Sequence, residues 1–159
     1  MELRTQRLIL RDFHLDDVFR VQAYQSRPAY MRHYDGEPPT PEETRAFVGM
    51  LREWAEEAPR TRYQLAITLD GVLIGTCGVR QEAPGGAEAE FGCELDPDHW
   101  GHGYAREASR AILAFGFEAL GLRRIVAHTL AENDAAVRLA EDLGFRRLGD
   151  GLYGLERDG

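Results

Sequence analysis

The sequence predicts a mixed α+β domain around one central sheet, and three observations predict it. Strand-like runs and helical runs follow in the order β-α-α-β-β-β-α-β-α-β-β, which neither alternates strictly nor segregates. Asp70-Gly71 between two apolar runs is a hairpin signal, so at least one antiparallel pair is built in. The helical runs carry their own start and stop residues, Thr40 and Asn133 at the front and Gly144 at the back.

Taken in order, Arg7 to Phe13 alternates, with Leu8, Leu10 and Asp12 on one face and Ile9, Arg11 and Phe13 on the other, and reads as a first strand. Asp16-Asp17 opens a helix with Val18, Val21 and Tyr24 on its apolar side, and Arg27-Pro28 ends it. Residues 34–41, rich in proline, form a loop that can meet a partner or cover an acceptor site. Thr40, Pro41 and Glu43 make a capping box for the next helix, whose stripe is Phe47, Leu51 and Trp54 and which ends before Pro59. Tyr63 to Leu69 and Val72 to Val79 are the hairpin strands. Pro84-Gly85-Gly86 turns the chain into a strand at 89–95. The helix from Tyr104 to Leu120 buries Ala105, Ala108, Ile112, Phe115 and Ala119. A strand at 124–130 follows. A short capped helix then ends at Leu143-Gly144-Phe145, and two short strands straddle Asp150-Gly151.

Size and charge bound the function. A chain of 159 residues, 43% hydrophobic and 29% charged, is expected to form one domain, 1–159. No apolar run reaches the roughly 18 residues of a membrane span. The opening Met1-Glu2-Leu3-Arg4-Thr5 lacks a signal segment, so a cytoplasmic protein without a membrane partner is expected. The net charge of −8 argues against a nucleic-acid partner. All 19 basic residues are arginine, a composition that reads as codon bias. Cys77 and Cys93 read as small hydrophobes in strands. The histidines at 14, 33, 99, 102 and 128 give no metal-ligand pair on a helix, so no metal is expected.

The most informative stretch is His99-Trp100-Gly101-His102-Gly103-Tyr104-Ala105. A strand precedes it and a helix follows. Glycines let a backbone approach an anion, and the first free N–H groups of a helix point at it. Neither the P-loop nor the dinucleotide-binding spacing is present.

The chain resembles the GCN5-related N-acetyltransferase (GNAT) family, and within it the RimJ/RimL-like ribosomal-protein N-terminal acetyltransferase group. Thr5-Gln6-Arg7-Leu8-Ile9-Leu10-Arg11 looks like that group's first strand, and Ala89 to Pro97 like its fourth. Trp100 to Ala108 looks like its acetyl-CoA loop and helix. Asn133 with Leu139 to Phe145 looks like its C-terminal motif. Trp100 stands where most of the family has Gln or Arg, a departure typical of the RimJ/RimL-like group.

The resemblance implies a GNAT fold of about seven strands and about four helices, with the fourth and fifth strands, 89–95 and 124–130, splayed apart. It implies acetyl-CoA as donor, with CoA as product. The pantetheine arm would run between the splayed strands along Cys93 and Leu95. The pyrophosphate would lie on the backbone of Gly101, His102, Gly103, Tyr104, Ala105 and Arg106. Asn133 reads as a helix cap, and by resemblance it also reaches the cofactor.

Acetyl transfer to an amine needs a base, an oxyanion donor and a proton for the thiolate. Residues 82–98 hold six acids and no bases, which favours a cationic acceptor. Alternation puts Glu88, Glu90 and Glu94 on one face, so Glu90 and Glu94 are the catalytic candidates, as base or as ammonium anchor. The commonest family glutamate position falls near Ala89, and a frequent family tyrosine position is Ala140 here. His128, Tyr153 and Cys77 are possible proton donors that the sequence does not rank. The expected reaction is direct transfer in a ternary complex to a primary amine, either a protein N-terminus or a small cationic amine. A non-catalytic acyl-CoA-binding module of the same fold is the alternative, and a homodimer is compatible with the sequence.

Overall fold

A computed structural model describes residues 1–158 except 33, 35 and 131. His33 and Asp35 of the sequence reading therefore lie outside the described residues, as do Ala131 and Gly159. Eight strands form one open, mixed sheet: β1 (Glu2–Arg4), β2 (Leu8–Arg11), β3 (Arg62–Leu69), β4 (Val72–Gln81), β5 (Glu88–Leu95), β6 (Arg124–His128), β7 (Arg146–Gly149) and β8 (Leu152–Glu156). Their spatial order is β1-β2-β3-β4-β5-β6-β8-β7, antiparallel throughout except for the parallel pair β5·β6. Among the described residues five α-helices accompany them: α1 (Val18–Gln25), α2 (Pro28–Met31), α3 (Pro41–Ala55), α4 (Tyr104–Glu118) and α5 (Asp134–Asp142).

The sheet is covered on both faces. Leu8, Leu10, Leu65, Ile67, Cys77, Val79, Ala89 and Phe91 pack with Ala108 and Ile112 of α4. Phe13, Ala66 and Leu73 pack with Val18, Val21 and Tyr24 of α1 and Val48 and Leu51 of α3. The centre of β3 is therefore apolar on consecutive residues, Leu65-Ala66-Ile67, all fully buried. Burying Leu65 and Ile67 contributes about 1.5–3 kcal/mol each, so these central strands anchor the sheet.

Most local signals act as expected. The Thr40 hydroxyl accepts from the Glu43 N–H, and the Glu43 carboxylate accepts from the Thr40 N–H. Asp70 and Gly71 both take positive φ, as a tight β3–β4 hairpin requires. At the end of α5 the Gly144 N–H donates to Glu141 and the Phe145 N–H to Ala140, a Schellman stop with Phe145 folded into the core.

Five details differ from the sequence reading. The sheet has an eighth strand, β1, because Thr5 turns the chain back through the Leu8 carbonyl and pairs Leu3 with Leu10. Pro28 starts the short helix α2 as well as ending α1, since proline suits a first helical position. The first strand stops at Arg11, and β6 stops at His128. On α3 the residues in the sheet contact are Thr44, Val48 and Leu51, whereas Phe47 and Trp54 are half-buried because they border a cavity. Ala119 is exposed, because α4 ends at Glu118 and Gly116 takes the contact with Leu122 and Ile125.

Candidate active site

β5 pairs with β6 only from Glu88 to Phe91, opposite Arg124 to Ala127. Its second half, Gly92–Leu95, stays paired with β4 but has no partner on the β6 side. The Asp96 N–H donates to the Ile74 carbonyl at 2.7 Å, which fixes the phase of the antiparallel β4·β5 ladder. Gly78 and Gly92 are then a hydrogen-bonded pair, while Cys77 opposite Cys93 and Gly75 opposite Leu95 are not. The main-chain N–H and C=O of Cys93 and Leu95 therefore turn away from β4, into the gap left by β6. The Trp100 indole closes one end of it by donating to the Leu95 carbonyl at 3.0 Å.

Beyond β5 a short 3-10 turn, Pro97–His99, leads to the start of α4. Gly101 and Gly103 sit at φ +82 and +80. That region costs other residues roughly 1–2 kcal/mol, so both positions demand glycine. Gly103 is the N-cap of α4 and offers no side chain to cap it. Among the described residues, no acceptor meets the N–H groups of residues 101–106. Six outward donors at the positive end of a helix form a cradle for an anion.

Arg7 fixes this loop. Its guanidinium donates to Glu107 at 2.7 Å and to the His102 carbonyl at 3.0 Å, and it lies 4.5 Å over the Tyr104 ring. Glu107 also accepts from the Arg7 N–H and the Thr5 hydroxyl. Burial works against the charge on Glu107, but these donors outweigh it and hold its pKa below the usual glutamate value. Arg7 and Glu107 stand 100 residues apart, so although Glu107 lies in the Trp100 to Ala108 motif and Arg7 in the Thr-Gln-Arg run, their pairing was not legible.

On the opposite side of β5 lies a cavity of about 300 Å³ between the sheet and α3. Phe47, Met50 and Trp54 form its apolar wall, with Tyr34 at its mouth; Glu94 and Arg80 bring its charge, and His128 lines it beside them. Glu94 is half-buried. Its carboxylate accepts from the Tyr24 hydroxyl at 2.7 Å, the Gln25 amide at 2.8 Å and the Tyr30 hydroxyl at 3.3 Å. Burial pushes the Glu94 pKa up, and the three donors only partly offset it. A carboxylate has about four acceptor sites, so one remains open among the described residues. Glu90, four residues back on the same face, is exposed and lies 3.5 Å from both Arg80 and His128.

The acidic run is not an unopposed negative field. Arg20 reaches Asp96 at 3.0 Å, Arg27 pairs with Asp98, and Arg80 faces Glu90. Arginines from outside the run neutralise acids that looked unpaired along the sequence, which weakens the electrostatic argument for a polycationic acceptor.

A GNAT acetyltransferase domain model matches residues 7–146. The chain belongs to the GNAT family. It is 31% identical over 148 residues to the uncharacterized N-acetyltransferase p20 of Bacillus licheniformis, covering 92% of this chain and 83% of that protein. The solved structure of a GNAT-family acetyltransferase from Bacillus anthracis superposes with a TM-score of 0.82 at 26% identity, over 98% of both chains. The fold is also that of the Salmonella typhimurium acetyltransferase that modifies the N-terminal serine of ribosomal protein L7/L12, with a TM-score of 0.79 at 18% identity and 97% of each chain covered. The protein is thus an N-acetyltransferase, and its mixed sheet parting between β5 and β6 is the GNAT architecture.

In this acetyltransferase the remaining residues singled out by sequence fall into place unevenly. Cys93 and Leu95 border the gap, and 101–106 form the cradle. Arg106 points its guanidinium to Asp142 of α5 at 2.6 Å. Asn133 caps α5, its side-chain oxygen accepting from the Ala136 N–H at 3.1 Å. Cys77 is fully buried opposite Cys93, and Tyr153 is buried in the core beneath α5. His128, exposed at the end of β6, is the one of the three candidate proton donors that lines the cavity. Ala140 is buried, and its methyl group packs in the core between α5 and the sheet. Among the described residues no group of three metal-ligating side chains occurs, and no helix is long and apolar enough to cross a membrane.

Proposed function

We propose that this acetyltransferase moves an acetyl group from acetyl-CoA to a primary amine by direct attack in a ternary complex. The observation that carries the reading is the half-paired strand β5. Its main-chain groups at Cys93 and Leu95 face a gap, and that gap leads to the open N–H cradle at 101–106. The donor set fits the cofactor. An amide-bearing arm can add to an unpaired strand edge, and a pyrophosphate needs several convergent donors. The Asn133 oxygen caps α5, and its amide nitrogen, which meets no acceptor among the described residues, can serve the same arm.

When bound, acetyl-CoA supplies the thioester carbonyl. The chain does the rest. One N–H on this edge, that of Cys93 or of Leu95, stabilises the oxyanion as it develops, its direction fixed by the sheet, and the other is left to pair with the arm, since the two stand about 6.6 Å apart. The amine enters from the cavity face. Glu94 takes its proton through the one free lone-pair site, and the raised pKa suits that role. Glu90 stays with Arg80 and His128 and serves the acceptor's entry, not the proton transfer. The thiolate of CoA leaves with a proton from water or from His128, because Ala140 offers none.

Thiol release from acetyl-CoA with a panel of primary amines tests the reading. Amine-dependent release that disappears in Glu94→Gln, with CoA affinity retained, is the expected result. Tight CoA binding without release for any amine would favour the non-catalytic module.

A further inference from the structure

The cavity beside Glu94 contains a second charged group that an amine alone does not need. Arg80 reaches across β5 so that its guanidinium lies over Gly92. A Cβ at Gly92 would stand 3.1 and 3.3 Å from its two terminal nitrogens. A methyl group there would press on the guanidinium and shift it by a few tenths of an ångström. One nitrogen donates to the Gln64 side chain at 2.7 Å, and Gln64 is itself fixed by Thr76 at 3.0 Å. Thr76 in turn donates to the Leu65 carbonyl at 2.8 Å. Glu90 stands 3.5 Å from the other nitrogen, beyond good hydrogen-bond range. The guanidinium is thus held by a buried polar chain, and donors remain for the cavity it lines.

The spacing matters. Gly92 and Glu94 are two residues apart on the same face, about 6.6 Å along the strand. The guanidinium over Gly92 and the Glu94 carboxylate line the same cavity from the same face of the sheet, each with hydrogen-bonding capacity left, and bracket one small zwitterion. The amine meets Glu94, and the carboxylate on the neighbouring carbon meets Arg80 in the bidentate mode that guanidinium favours. The wall of Phe47, Met50 and Trp54 takes an apolar side chain. A volume of about 300 Å³ lies at the small end of ligand sites, matching one amino acid and not a folded chain end.

We propose that the acceptor is a small amino acid-like zwitterion with a large apolar side chain, selected by Arg80 through its carboxylate. This rests on the acetyl-transfer reading, which supplies the donor for the amine. A polyamine offers no anion to Arg80 and adds positive charge beside it. A protein N-terminus carries an amide where the carboxylate should be.

The test uses the purified protein with three matched ligands: phenylalanine, phenylalanine amide and phenethylamine, with spermidine as the polyamine probe. Acetyl-CoA turnover is followed by thiol release. Binding of each ligand to the CoA-loaded protein is followed by calorimetry. Phenylalanine should show a KM at least tenfold below those of its amide and of phenethylamine, and should bind the CoA complex without turnover. In Arg80→Gln that preference should vanish, with CoA affinity unchanged. In Gly92→Ala, where the guanidinium is kept but pushed aside, the preference should shrink. Equal or better use of phenethylamine or spermidine would overturn the zwitterion assignment while leaving the acetyltransferase reading intact. Phenylalanine binding that needs Arg80, without turnover of any amine, would support the assignment and fail the catalytic reading. No binding of phenylalanine to the CoA complex would overturn the assignment by itself.

Discussion

The two sides of β5 are built by different means. On the gap side, the groups that the proposed function uses are backbone: the N–H and C=O of Cys93 and Leu95, then the N–H row at 101–106. They require only that a strand part from its neighbour and that two glycines take positive φ. On the cavity side, the working groups are side chains brought from four elements: Tyr24 and Gln25 from α1, Tyr30 from α2, Arg80 from β4 and Glu94 from β5. The first side suits a donor common to a whole family. The second is where one chain can differ from another. A backbone site resists most substitutions but fails if the backbone is forced; a side-chain site fails residue by residue.

That difference can be broken from either side. The largest effect is expected on the cavity side. Glu94→Gln keeps the shape and removes the proton acceptor, so kcat/KM should fall by about 100-fold or more while CoA affinity stays within about twofold. The pH profile sharpens the assignment. Glu94 must be ionised to act, and its pKa is raised by burial, so activity should rise with pH along a limb above the ordinary glutamate range. That limb should be missing in the Gln variant. The sign for stability is opposite to that for activity. The folded state holds the Glu94 proton more tightly than the unfolded chain, so its stability contribution falls as pH rises through the raised pKa. Glu94→Gln should therefore melt higher than the parent at neutral pH, measured by thermal denaturation.

The gap side breaks at Gly103. A Cβ there has space, its nearest neighbour being the Arg7 side chain at 3.5 Å, so the penalty is conformational. Gly103→Val should pull the N-cap out of the left-handed region and turn the cradle donors. Calorimetry should show CoA affinity reduced tenfold or more, about 1.4 kcal/mol, in a protein that still folds. Unchanged affinity in a folded variant would remove the loop from the binding site. Ala140→Tyr should lower stability by about 1–3 kcal/mol without raising the rate, because a buried methyl site in the core has no room for a phenol. A large rate gain would mean that thiolate protonation limits turnover. The smallest effect is expected for Glu90→Gln. Glu90 is exposed and its partners stand 3.5 Å away, so kcat/KM should change by less than about fivefold.

The same contrast explains what was legible beforehand. The gap side could be read from the linear chain because its determinants are local: strand, two glycines and helix start lie within 89–108. Thr40, Asn133 and Gly144 were legible for the same reason, since a cap acts within a turn. Strand β1 was missed because three residues, Glu2–Arg4, carry too little periodicity to announce a strand. On the cavity side, alternation put Glu90 and Glu94 on one face but could not rank them. Tyr24 and Tyr30 are 70 and 64 residues from Glu94, and nothing along the chain marks them as its partners. Arg7 is farther still from Glu107, at 100 residues. The acidic run misled because its counter-charges, Arg20, Arg27 and Arg80, enter from other elements.

Amide hydrogen exchange with and without CoA tests the central claim most directly, because that claim concerns individual backbone N–H groups. Saturating CoA should slow exchange at Cys93, at Leu95 and across 101–106. The cavity-side amides of α3 and the Glu88–Phe91 half of β5, already paired with β6, should change little. Protection confined to other segments, or none in this set under saturating CoA, would contradict the account of a backbone-built donor site.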